Sequence, residues 1–371
     1  MIRRTLLVAG LLPVLLACMA GAPAGSPPAP APRSAVEGAR LYVANQTAST
    51  ISVIDIKSQT LIETLDLQKL GFTDKAKPHH IAAEPDGSAW YVSLVGDGYV
   101  VKFDRSNKVV GKSRFATPGM LALDPKSDLL YVTRSMTAVN APSSIGVIHR
   151  NTMADAEVVD VVLGRPHGAA ADPRGTWSHI AGMVDNEIAN VNGATGDVTL
   201  TQVPGDMMHM FVGLSMSPDG SRLVATTQMT DKVFIYDASV PGKLALLKTL
   251  DSPGWPWDQA WTADGSEFWF GNQKANTVTV VNARTMEISD VIRGNGLAEP
   301  HGIAVSPDQK YVFVSNHNLQ GVYTPKAGKT GKTGRANGTG TVVVIDRKTH
   351  RIVKIIETDH DAVGMAVLNA Q

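Results

Sequence analysis

The sequence predicts an all-β protein: a seven-bladed β-propeller of four-stranded blades, its ring closed by the C-terminal strand. Three observations carry this. A proline-led frame recurs at Pro78, Pro118, Pro166, Pro256 and Pro300, at intervals of 40, 48, 90 and 44 residues, the long interval spanning two units. Between these anchors lie short runs rich in Val, Ile, Tyr and Thr, separated by Pro, Asp and Gly turn signals. The first repeat begins in mid-unit, and the strand it lacks is found at the other end of the chain. Residues 39–371 divided among seven blades give about 48 residues per blade, within the range for propeller repeats.

The elements follow in order. Residues 1–17 carry Arg3 and Arg4 ahead of a short apolar run, Leu6 to Ala17, too short to span a bilayer as a helix and suited to a signal peptide. The run ends Leu15-Leu16-Ala17-Cys18, which resembles the lipobox of bacterial lipoproteins. That resemblance implies cleavage before Cys18 and lipidation, palmitate included, of this single cysteine; two or more acyl chains anchor stably where one is marginal. Met19, rather than Asp, favours the outer membrane facing the periplasm, or the cell surface. Arg3-Arg4-Thr5-Leu6-Leu7 partly resembles a twin-arginine signal, so the export route stays open. Residues 18–38 are Pro- and Ala-rich with almost no bulky apolar side chain, and read as an extended tether.

The propeller occupies 39–371. Blade 1 opens with a second strand, Leu41-Tyr42-Val43-Ala44-Asn45, and a third, Thr50 to Asp55. Blade 2 starts at Pro78-His79-His80-Ile81, turns at Pro85-Asp86-Gly87 and continues as Tyr91-Val92-Ser93. Blade 3 starts at Pro118 and carries Tyr131-Val132-Thr133, blade 4 starts at Pro166-His167-Gly168, and blade 5 is marked by Pro218-Asp219-Gly220. Blade 6 starts at Pro256-Trp257-Asp258. Blade 7 runs from Pro300-His301-Gly302 through Tyr311 to Asn316, then an insertion, then Thr341 to Asp346. Val363 to Leu368 has the first-strand pattern and is expected to complete blade 1, which hides the sheet edges.

The Tyr-Val-Ala/Ser/Thr frames, each followed by a Val-Ile-Asp-like strand, resemble the YVTN-repeat propellers of the YncE type, over the whole of 39–371. The wider superfamily includes the propellers of nitrous oxide reductase and cytochrome cd1 and lactonase-like propellers. The resemblance implies a fold and leaves function open, because this fold hosts binders, scaffolds and enzymes.

Composition narrows the function. The 34 Lys and Arg balance 34 Asp and Glu, so no basic excess exists for phosphate neutralisation and no nucleic-acid partner is expected. With 43% hydrophobic and 18% charged residues the chain can bury a core. One cysteine excludes an internal disulfide, a thiolate zinc site and haem attachment through two cysteines. Aligning the blades puts Val363, His79, Gly119, His167, Val212, Trp257 and His301 at one position, at the starts of the strands lining the central channel. His80, His209, His317 and His360 lie beside it, whereas His149, His179 and His350 read as surface residues.

Three function classes remain. The first is a cell-envelope binding or scaffold module, contacting a protein or small ligand through His79, His80, His167, His209, Trp257, Asp258 and His301, with no catalytic residues and the lipid anchor as its only membrane contact. The second is a protein that binds copper or another divalent metal, or an oxidoreductase, using His79, His167 and His301, since neutral imidazole suits such ions and Met207, Met208 and Met210 would add soft donors. Against nitrous oxide reductase, this chain lacks the full histidine set and the cysteine ligands. The third is a lactonase-like hydrolase using Asp258 or Glu299. Trp255 and Trp261 flank the same mouth. The insertion 318–340 carries Lys326, Lys329, Lys332 and Arg335 with no acid, and would suit an anionic envelope surface.

Overall fold

The computed structural model describes residues 38–326 and 338–370. Cys18, the leader and the tether fall outside them, as do Lys329, Lys332 and Arg335. The described residues form seven four-stranded antiparallel sheets arranged as a propeller. Their innermost strands are Pro78–Ala83, Pro118–Leu123, Pro166–Ala171, Phe211–Met216, Pro256–Trp261, Pro300–Val305 and Ala362–Leu368. Blade 1 is built from both ends of the propeller: Ala362–Leu368 pairs with Arg40–Asn45, from Arg40 opposite Leu368 to Asn45 opposite Ala362. Apart from strands, the regular structure among the described residues is one 3-10 turn, Leu67–Leu70.

The recurring residues have separable jobs. The turn aspartates fold each first hairpin by accepting a backbone N–H two residues on, Asp86 from Ser88 at 2.9 Å and Asp219 from Ser221 at 2.9 Å. Gly87 follows at φ 71°, and a Cβ there would lie 2.3 Å from the Asn369 carbonyl oxygen, so only glycine fits. The Thr or Ser of the second strand clips one blade to the next. Thr133 Oγ1 donates to the His167 carbonyl at 2.6 Å, Thr226 Oγ1 to the Trp257 carbonyl at 2.8 Å, and Ser315 Oγ to the Val363 carbonyl. The Asn that follows braces its own blade, as when Asn45 Nδ2 donates to Thr50 and Ser52.

One residue in every blade, immediately before the innermost strand, is left-handed: Lys77, Thr117, Arg165, Met210, Trp255, Glu299 and Asp361, with φ between 48° and 66°. This conformation is costly for a residue bearing a Cβ. Its carbonyl is held each time by the N–H of the residue that follows the second strand: Val95, Ser135, Met183, Gln228, Gln273, His317 and Gln46 respectively. The turn breaks the register at the top of each inner strand and delivers the second strand residue toward the axis.

Blade faces pack through interdigitated aromatic and branched side chains. Trp90, fully buried, stacks on Phe103 at 4.1 Å and on Tyr42 of the preceding blade at 4.5 Å. Trp90→Ala is expected to destabilise the fold by about 3–5 kcal/mol. The check is urea unfolding, where the midpoint should fall with the slope unchanged.

Candidate metal centre

The aligned ring expected from the sequence forms where the inner strands begin. Val363, His79, Gly119, His167, Val212, Trp257 and His301 each occupy the second position of an inner strand, and all are buried. The axis is narrow enough that non-adjacent blades meet there. The ring centre of His79 lies 5.9 Å from that of His167 and 5.8 Å from that of His301. A fourth imidazole, His317, stands 4.8 Å from His301, and Trp257 is 5.0 Å from His301 on its other flank.

The nitrogens of these rings are the informative part. His79 Nε2, both nitrogens of His167, His301 Nδ1 and His317 Nε2 are buried and have no hydrogen-bond partner. A buried polar atom left unpaired costs about 1–3 kcal/mol, so five of them in one place form a costly arrangement unless something else occupies them. The outward-facing nitrogens, by contrast, are organised. His317 Nδ1 donates to Asp361 Oδ1, and Thr47 donates to Asp361 Oδ2 at 2.6 Å. A carboxylate only accepts, so in the neutral ring Nδ1 carries the hydrogen and Nε2 presents its lone pair inward. Gln46 Nε2 lies 3.0 Å from His79 Nδ1 and donates to it, so in the neutral ring Nδ1 accepts and the hydrogen sits on Nε2.

Electrostatics agree with lone-pair donation. Burial, reinforced by the neighbouring imidazoles, lowers His79 to about 4 and His167 to about 3, and holds His301 well below its ordinary value. These three rings are therefore neutral at pH 7, the form that ligates a metal. Burial pushes the Asp361 carboxyl up, but the hydrogen bonds from His317 and Thr47 and the nearby imidazoles outweigh it and hold it below the usual range. Asp258 Oδ2 is 3.7 Å from His301 Nδ1, and burial raises its carboxyl to about 7.

Among the described residues no three such donors stand ready-made around a point. Two imidazoles sharing one ion at about 2.0–2.1 Å would have ring centres about 4.5–5.5 Å apart. The His301–His317 separation of 4.8 Å falls within that range, whereas those of His79 from His167 and His301, 5.9 and 5.8 Å, exceed it, so these rings would have to move to share one ion.

Other expected residues stand apart. His209 is spent on local structure, bonding Thr230 through Nδ1 at 2.8 Å and the Pro204 carbonyl through Nε2 at 3.0 Å, with its ring on Phe234. Met207 and Met208 are solvent-exposed, neither core nor ligand. Glu299 binds the backbone N–H and side-chain amide of Gln320 and tethers the start of the insertion. His80 Nδ1 accepts the Leu121 N–H of the next blade at 3.2 Å. His179 is buried rather than at the surface. It takes the place of the repeat's tyrosine, and its Nδ1–H donates to Asn190 Oδ1 at 2.8 Å. The sequence signal for His317 was its place directly after Asn316, which matches Gln46 after Asn45; Asp361 was visible as the residue before the closing strand.

No protein-family profile matches the sequence, and no curated protein matches it. Solved structures share the fold at low identity. A functionally unknown protein from Desulfotomaculum acetoxidans DSM 771 is similar with a TM-score of 0.68 and 15% identity, over 88% of this chain and 98% of that one. The dihydro-heme d1 dehydrogenase NirN, solved in complex with DHE, gives 0.58 and 15% over 88% of this chain and 74% of that one. A chain of the nidogen/laminin complex gives 0.52 and 15% over 70% and 95%. At this identity the likeness establishes the propeller fold alone.

Proposed function

We propose that this chain is an envelope-tethered metal-binding propeller, a YVTN-type lipoprotein anchored through Cys18, whose axial ligand is one transition-metal ion held by His79, His167, His301 and His317. The observation that carries the reading is that four imidazoles from blades 2, 4 and 7 stand side by side at the axis, with neighbouring ring centres 4.8 to 5.9 Å apart, and that five of their nitrogens are buried without a hydrogen-bond partner. All-imidazole donation suits copper, zinc, nickel or iron, and the affinity order of divalent ions puts copper first. Asp361 acts as the outer partner that orients His317. The broader role as a binding module of the envelope is then specified by its ligand, the ion.

A haem-type ligand, suggested by the likeness to NirN, is disfavoured by space. The inner strands Ala362–Leu368 and Pro78–Ala83 touch directly, so that a Cβ on Gly364 would lie 2.4 Å from the His79 carbonyl oxygen, and no macrocycle fits between these two.

The test is metal content by inductively coupled plasma mass spectrometry on the full chain, purified without an affinity His tag. About one copper ion or a competitor per chain is expected. It should vanish in a His79→Ala/His167→Ala/His301→Ala variant that keeps its β-sheet circular dichroism. Absence of metal after reloading in the unmodified chain would overturn the reading.

A further inference from the structure

The aligned residues at the starts of the inner strands are buried, while His317 on the connection beside them is partly exposed. His167 is 0%, His301 2%, Trp257 3% and His79 4% exposed, while Val212 and Val363 are fully buried. One residue further along the strands the picture changes: His80, Asp258 and Gln259 are only partly buried. They line a cavity of about 320 Å³ that follows the inner strands to the opposite face, where Pro173, Ser217 and exposed Pro218 form its lip. Small side chains, among them Ala122, Ala169, Ala171 and Ser215, keep this passage open.

Its polar groups are disposed for a cation. Asp258 Oδ1 and Gln259 Oε1 are buried acceptors without partners. Gln259 cannot turn its amide to hide the oxygen at no cost, because Nε2 already donates to Thr226 Oγ1 and to the Trp257 carbonyl at 3.0 Å. Asp258 also reaches the ring, with Oδ2 3.7 Å from His301 Nδ1. The remaining wall mixes apolar side chains, Met120, Leu214, Met216 and Met365 among them, with His80, Ser215 and Ser217.

Resting on the metal-binding reading, we propose that the axial channel is the ion's access route, running from the turn face to the imidazoles, with Asp258 and Gln259 forming a transit site for a divalent cation on the way. The proposal assigns Asp258 a role in loading, separate from the ligands that set affinity.

The experiment uses the full chain stripped by chelator and mixed with Cu²⁺ in a stopped-flow instrument. The readout is quenching of tryptophan fluorescence, to which Trp257 beside His301 gives a local reporter. Asp258→Asn should slow loading by about tenfold, because an amide oxygen is a weaker cation donor than a carboxyl group that can ionise, with the end-point unchanged. Ala171→Trp, which obstructs the passage nearer the turn face, should slow it further, again with full final occupancy by mass spectrometry. Circular dichroism on both variants controls for folding. Loading as fast as in the unmodified chain in both variants would overturn the route while leaving the metal centre intact. Failure of the unmodified chain to bind copper at all would overturn the metal-binding reading itself.

Discussion

Saturation with Cu²⁺ at about a thousand times its dissociation constant is expected to raise the stability of the chain by about 4 kcal/mol and its unfolding midpoint by roughly 5–10 °C. The same ion should leave a His167→Phe variant unmoved. His167 is the sharpest probe because it is wholly buried and neither ring nitrogen has a partner. A phenyl ring keeps the shape of the slot and removes two unsatisfied nitrogens. Without metal, this variant should therefore be more stable than the parent, by about 1–3 kcal/mol. Differential scanning calorimetry of both proteins, with and without copper, reads all four values. Equal copper shifts in the two proteins, or a destabilised metal-free variant, would mean that His167 serves packing alone.

The metal-free protein is expected to unfold in mild acid. In an unfolded chain these histidines titrate near 6.5, whereas in the fold His79 is lowered to about 4 and His80 and His167 to about 3, all chiefly by burial. Between those values the unfolded state binds more protons than the native one. Stability is thus fully present above pH 6.5 and is lost as pH falls below it. At pH 5 each of the three rings costs about 2 kcal/mol, and together they approach the whole stability of an ordinary domain. Protonating one ring also raises the cost of charging its neighbour, so the loss should be steep. Circular dichroism against pH should show cooperative unfolding near pH 5 to 4, with copper protecting and with His167→Phe shifted to lower pH. A flat profile down to pH 4 would contradict the burial of neutral imidazoles at the axis.

Much of this molecule was readable without coordinates, for identifiable reasons. Prolines and Pro-Asp turns occupy fixed positions in a repeat, so aligning them placed His79, His167, Trp257 and His301 in one ring, and the unpaired half-blade at each end foretold the closing strand. What escaped lies off the strands. Gln46 and Asp361 sit on connections whose direction is set by left-handed residues and by a neighbouring blade, information that no strand period carries, and although His317 was legible as a neighbour of the ring, its bond to Asp361 was not. His209 was misleading for the same reason. It lies next to the left-handed Met210 in its loop, its ring rests on Phe234 and its nitrogens serve Pro204 and Thr230. His179 was misjudged by residue type, although its repeat position, shared with Tyr42, Tyr91 and Tyr131, is buried in every case.

Blade 1 closes the circle only when Ala362–Leu368 docks against Arg40–Asn45. His79, His167 and His301 come from blades 2, 4 and 7, so they surround a common point only in the finished ring. A ribosome-bound or C-terminally clipped chain holds the same histidines but no centre. An ion bound by these residues would in this sense be a late arrival, acquired after synthesis is complete, and its presence would certify that the last strand has found its place.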